Sequence, residues 1–171
     1  MPTTIRDTAP LTPTVTTPDH QRPVAAAGVT VTVLLHGRDT GGQQTILDYH
    51  ARSGAPGPAL HLHRLTHETF HVTEGRFNFV FPGERITAGP GTFVHVPPGV
   101  PHAFWNDSGE PARMTITFAP AGMEDYLVDL LTLANESAAT GQDIRPLIAQ
   151  LGRKYDQQVM GPSPAIKTTG K

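Results

Sequence analysis

The stretch HLHRLTHE, residues 61–68, packs three histidines and one glutamate into eight positions. If its start is a strand, His61 and His63 point to one face, about 7 Å apart along the chain at ~3.3 Å per residue. Both imidazoles can then lean toward one ion at ~2.0–2.1 Å. Glu68 lies an odd number of positions beyond His63. It returns to the same face only if RLTH turns and a new strand begins at Glu68, which the run ETFHV supports. Donors from one hairpin leave such a site incomplete. The stretch GTFVHVPPGVPHAFWN, residues 91–106, offers His102, delivered by the stiff bend that Pro97, Pro98 and Pro101 impose around Gly99.

The surroundings of this cluster read as a β protein. From Val29 onward, runs such as VTVLLHG, QTILDYHA, FNFVF, TFVHV and RMTITFA alternate with turn chemistry such as SGAPGP, PGER, TAGPG and PPGVP. Regular short strands with Gly and Pro between them predict an all-β sandwich or barrel. No helical pattern alternates with the strands, which argues against a parallel α/β fold. Residues 1–28 are rich in Thr and Pro and are expected to form an extended arm, with the barrel over 29–120. Helical spacing returns in 121–171, through Met123, Leu127, Leu130 and Leu131 and then Ile144, Leu147, Ile148 and Leu151. Pro146 suits a first turn and Gly152 a stop. Two amphipathic helices are therefore expected to pack on the outside of the barrel, followed by an extended tail.

Composition narrows the chemistry. The chain has 171 residues and a net charge of −2, which favours neither nucleic acid nor an anionic membrane surface as a partner. There is no cysteine, so thiolate nucleophiles, disulfides and soft metal sites are excluded and a metal must sit on nitrogen and oxygen. No apolar stretch approaches the ~18 residues a membrane span needs. The N-terminal stretch has no apolar signal-like core, and a cytoplasmic location is expected.

The two histidine-bearing stretches together resemble the motifs of the cupins, small antiparallel β-barrels with a metal site inside. The first motif is Gly, five residues, His-x-His, three or four residues, Glu, six residues, Gly. His61, His63, Glu68 and Gly75 match it, and only the leading Gly departs, falling at Ala55 with Gly54 and Gly57 nearby. That departure is expected to alter a turn, not the site. The second motif is Gly, five residues, Pro-x-Gly, two residues, His, three residues, Asn, and Gly91, Pro97, Gly99, His102 and Asn106 all match it. The resemblance covers about residues 29–120 and implies a jelly-roll-like cupin barrel. It also implies that His61, His63, Glu68 and His102 hold one divalent Fe, Mn, Ni, Co, Cu or Zn ion, the same residues that strand parity nominates. A six-coordinate ion would keep two open positions, as catalytic sites do.

Among single-barrel members, the ligand set and the C-terminal helices are similar to the quercetinase-like dioxygenases. That implies a metal-dependent dioxygenase acting on a small aromatic or enolisable substrate, with O2 as a candidate co-substrate. Glu68 would then be a catalytic base as well as a ligand. Two alternatives stand beside it. One is a non-redox, metal-dependent cyclase or isomerase of a natural-product pathway. The other is a non-catalytic small-molecule binder. Cupins are commonly dimers, so a homodimer is expected, and the arm could add a strand to a partner's sheet edge.

Parity also nominates a substrate pocket. Phe70 shares the face of Glu68, Phe104 that of His102, and Phe79 lies between Phe77 and Phe81 on one face of the next strand. Phe70, Phe79 and Phe104 are therefore candidate pocket walls, with plain barrel core as the alternative. His67 and His71 have the wrong parity and are expected outside. His95 is expected in the core or at a subunit contact. His36 and His50 end strand-like runs near the barrel mouth, and Trp105 should face away from Phe104, toward a helix or a dimer contact.

Overall fold

The computed structural model describes residues 12–165; the start of the expected arm, 1–11, and the end of the expected tail, 166–171, lie outside the described residues. The strands are β1 (Val24–Ala26), β2 (Val29–Leu35), β3 (Thr45–Ala51), β4 (Leu60–Leu62), β5 (His67–Glu74), β6 (Phe77–Phe81), β7 (Glu84–Ala88), β8 (Phe93–Val96), β9 (Ala103–Trp105) and β10 (Ala112–Ala119). Helices α1 (Met123–Thr140) and α2 (Arg145–Lys154) follow, and the short strand β11 (Gln158–Gly161) comes last. A six-stranded sheet has the order β1-β2-β3-β10-β5-β8, a three-stranded sheet the order β7-β6-β9, and β11 pairs with β4. Every pairing is antiparallel.

Period-two alternation sets the inner faces. In β3, Thr45, Leu47, Tyr49 and Ala51 are buried, and in β10 Ala112, Met114, Ile116 and Phe118 are. The two sheets meet through aromatic rings. Phe70 of β5 lies 5.0 Å from Phe79 of β6 and 5.1 Å from Phe104 of β9, centroid to centroid, and Tyr49 lies 5.3 Å from Phe104. These edge-to-face contacts fill the space that aliphatic side chains alone would leave. Two glycines, Gly75 of the first motif and Gly57 beside its missing leading Gly, are explained by backbone crowding. Gly75 has φ +66°, and a Cβ there would lie 2.3 Å from the Pro111 carbonyl oxygen. Gly57 has φ +64°, and its Cβ would lie 1.7 Å from the carbonyl oxygen of Phe104. Ala55 stands where the first motif has its leading Gly, and the left-handed conformations fall on Gly54 and Gly57 instead.

Three features differ from what the sequence suggested. The last part of the arm is not separate, because β1 pairs with β2 of the same chain and Asn135 of α1 donates to the Ala25 carbonyl at 2.8 Å. Helix α1 packs against β1, β2 and β3 on the barrel, and some of its side chains also line a cavity together with residues of those strands, a role its stripe did not suggest. A hydrophobic stripe tells that a helix buries one face but not which opening it closes. Gly152 lies within α2 and not at its stop, and the chain folds back so that a Cβ there would meet the Gln157 carbonyl at 2.9 Å. Among the described residues, no helix is long and apolar enough to cross a membrane.

Candidate metal centre

His61 is the central residue of β4, His63 follows its end, Glu68 sits on the inner face of β5, and His102 precedes β9. The backbone couples the two histidine stretches directly. His61 N–H donates to the His102 carbonyl at 3.0 Å and His102 N–H donates back at 2.7 Å, an exchanged pair of the antiparallel kind. The Gly99 amide, in the proline-framed bend, donates to the His63 carbonyl at 2.6 Å. All four side chains are buried, and one donor atom from each lies within 4.8 Å of the others. Asn106, also in the second motif, ties the ends of the barrel loops. Its amide donates to the carbonyls of Ala51, Arg52 and Glu110, and its oxygen accepts from Ser108.

The ring nitrogens are sorted by the backbone. Nδ1 of His61 donates to the Ala59 carbonyl at 2.8 Å, that of His102 to Val100 at 3.0 Å, and that of His63 to Asp156 at 2.5 Å. Each Nε2 is thereby left to face the interior, the tautomer a metal ligand needs. Glu68 Oε2 lies 3.1 Å from His63 Nε2 and 2.8 Å from His102 Nε2. Rings already protonated at Nδ1 present lone pairs there, so the carboxylate and the imidazoles share this space only with an added proton or a cation. The titration follows. Burial acts to raise the Glu68 carboxyl, but hydrogen bonds from His102 and His63 outweigh it and hold Glu68 far below the usual carboxylate range. Burial opposes charge on His63, yet Glu68 outweighs it and raises its pKa. Burial and neighbouring His102 push His61 down to about 3. Three nitrogens and one carboxylate, buried and preoriented, fit a divalent first-row ion.

Asp156 is the residue that sequence reasoning missed. Its carbonyl orients His63, and its side chain accepts from the amides of Arg64, Leu65 and Thr66 and from the Thr66 hydroxyl. One aspartate after α2 thus fixes both a ligand ring and the turn between β4 and β5. Nothing in YDQQ signals this, because the contact exists only once β11 has docked beside β4.

His61, His63 and Glu68 line the floor of a cavity of about 280 Å³, and His102 lies behind them. Of the expected pocket walls, Phe104 lines this cavity, whereas Phe70 and Phe79 are fully buried in the core and do not line it. Tyr49 and the α1 residues Met123, Tyr126 and Leu127 stand in the wall instead. The other histidines stay apart. His67 and His95 are exposed on the outer face, their rings stacked with Nδ1 to Nε2 at 3.4 Å, so His95 is not a core residue. His71 stacks on exposed Phe93 at 4.1 Å. His36 heads the 3-10 turn that Asp39 closes, and His50 faces away from the cavity, opposite Thr30 and Arg113. Trp105 is buried beneath the Arg85 guanidinium, 4.4 Å from its ring centroid.

The chain matches the family described as a cupin domain over residues 49–118. Quercetin 2,3-dioxygenase of Bacillus subtilis (strain 168) is 35% identical over 75 residues, which is 43% of this chain and 21% of that protein. Oxidoreductase iacF of Pestalotiopsis fici is 34% identical over 87 residues, 49% of this chain and 43% of that protein. The chain therefore spans less than half the length of either relative. Among solved structures, an RmlC-like cupin from Shewanella frigidimarina superposes with a TM-score of 0.56 at 20% identity, covering 67% of this chain and 96% of that one. The polyketide cyclase RemF from Streptomyces resistomycificus gives 0.54 at 21% identity, covering 63% and 80%. The Streptomyces nucleoside dehydratase Pac13 gives 0.53 at 20% identity, covering 67% and 88%. At such identities the likeness extends to the fold alone.

Proposed function

The chain carries a cupin domain, and from that premise we propose that it is a metal-dependent enzyme acting on a small, largely apolar organic molecule with an ionisable hydroxyl or an enolisable carbonyl, and that the reaction is a dioxygenation. The observation that carries this reading is the convergence of His61, His63, Glu68 and His102, the first three of which line a mostly apolar cavity. The likeness to a quercetin 2,3-dioxygenase supports the oxidative assignment.

His61, His63, Glu68 and His102 would hold the ion. When bound, the ion supplies Lewis acidity that favours the ionised form of a substrate oxygen. The rest falls to the protein. The Glu68 carboxylate lines the cavity, so it is the group placed to take a proton from a substrate hydroxyl at the floor. Phe104, Phe118 and the α1 side chains exclude water and press a flat substrate toward that floor.

The test has two parts. Protein prepared without chelator should contain near one equivalent of a transition metal. Flavonols and other enolisable aromatics should then drive O2 uptake, and Glu68→Gln should lower it by about 100-fold or more. Turnover that runs equally well under nitrogen would reassign the same residues to a non-redox proton transfer. Protein that takes up no metal ion from any offered would sink the enzyme reading.

A further inference from the structure

We propose that Tyr49 and Tyr126, the latter held by Gln157, form a hydrogen-bonding clamp that selects neutral aromatic ketones and phenols and rejects anionic or polyhydroxylated ligands. The proposal rests on the reading of the cavity as the substrate site and adds what that site accepts beyond the metal donors.

Among the described residues, the cavity's polar side chains apart from the donors on the floor are Tyr49, Tyr126 and Gln157. Among the residues whose side chains are described, neither lysine nor arginine lines it. An anionic ligand would therefore find no counter-charge among the described wall residues away from the floor. A ligand rich in hydroxyls would leave most of them unpaired against aliphatic and aromatic walls. At about 280 Å³ the space lies at the small end of the ~300–1,000 Å³ range of ligand pockets, which suits a molecule of one or two fused rings.

The two phenols are placed to read oxygen atoms on such a molecule. Tyr49 is 5% exposed, and its ring is fixed by edge contacts with Phe77 and Phe104. Its hydroxyl has no hydrogen-bond partner among the described residues, yet no enclosed side-chain nitrogen or oxygen among them lacks one. The hydroxyl must therefore open onto the cavity, as a donor awaiting an acceptor. Tyr126 hangs from α1, and its oxygen accepts a hydrogen bond from Gln157 Nε2 at 2.8 Å. That bond occupies a lone pair and leaves the Tyr126 proton to donate. One donor projects from a strand and the other from the helix that roofs the cavity, so a ligand with two separated oxygens would be oriented as well as held.

The test uses matched naphthalenes carrying an acetyl, an ethyl or a carboxylate group, and an acetylnaphthol with a second oxygen. Their binding to the full chain would be followed by fluorescence, both as purified and after zinc loading. Acetylnaphthalene should bind about tenfold tighter than naphthoate to protein without added zinc. Tyr49→Phe, which keeps the ring, should weaken acetylnaphthalene about fivefold and ethylnaphthalene less than about twofold. Tyr126→Phe should abolish the gain that the second oxygen gives acetylnaphthol. Equal binding of ketone and carboxylate, indifference of the ketone to both substitutions, or no binding of any probe would overturn the clamp. Zinc titration of the same samples keeps the two ideas separate. Failure to bind zinc would count against the metal centre, while the tyrosine effects would still be read in zinc-free protein.

Discussion

Two substitutions separate the ligands from the residue that orients them. His102 is fully buried and gives Glu68 the shorter of its two imidazole contacts, 2.8 Å against 3.1 Å. His102→Ala should reduce bound metal, measured by mass spectrometry, from near one equivalent to below about a tenth. Asp156 should show itself through acid stability. Burial acts to raise its carboxyl, but hydrogen bonds from Leu65, Thr66 and Arg64 outweigh this and hold its pKa below the usual value. A carboxyl depressed in the folded state contributes stability above its unfolded pKa and loses it as pH falls through the folded pKa. Asp156→Asn should therefore be less stable at neutral pH by about 1–2 kcal/mol, a figure reduced for partial exposure, and the gap to wild type should close below about pH 4. Urea titrations at stepped pH would show it; a gap that persists unchanged into acid would refute the assignment. The donor set was legible because His-x-His encodes strand parity and the next four residues encode a turn. Pocket walls were less so, since parity gives the face of a strand but not depth. Phe70 and Phe79 share the inner face yet sit in the core behind Phe104, while Tyr49 on β3 reaches the cavity.

Elements show the same division between what is local and what is not. The approach of the β3–β4 connection to β9 leaves no room at Gly57, where a methyl group would lie 1.7 Å from a backbone oxygen at φ +64°. Gly57→Ala should cost about 3 kcal/mol or more in thermal or chemical denaturation and should disturb Phe104 at the cavity wall. The strands were readable from β-branched runs between Gly and Pro turns, and both helices from their apolar spacing. The destination of α1 was not, because the stripe Met123, Leu127, Leu130 and Leu131 is equally suited to an outer surface and to a cavity roof. Strand β11 was invisible for a different reason. Its residues are mostly exposed and show no alternation, and it is a strand because β4 offers an open edge to pair with.

At the scale of the molecule, metal and fold are linked. An ion that binds only the folded chain stabilises it by about 2.7 kcal/mol when present at 100 times its Kd. Chelation should lower the melting temperature of wild type and leave that of His102→Ala nearly unchanged in differential scanning calorimetry. Metal uptake should also release protons. His63 holds its proton above the ordinary imidazole range because Glu68 outweighs the effect of burial, so an incoming ion must displace it, and affinity should climb as pH rises. Calorimetric titrations in buffers of different ionisation enthalpy would count the protons; a heat independent of buffer would refute the displacement. The order of the chain along its length carries a last consequence. The carbonyl that orients His63 belongs to a residue 93 positions later. A polypeptide emerging from the ribosome makes all four donors before Asp156, but the ring of His63 stays unset until Asp156 has been synthesised and docked. A chain that has not yet reached Asp156 is therefore expected to hold the ion more weakly than one in which Asp156 has docked against His63.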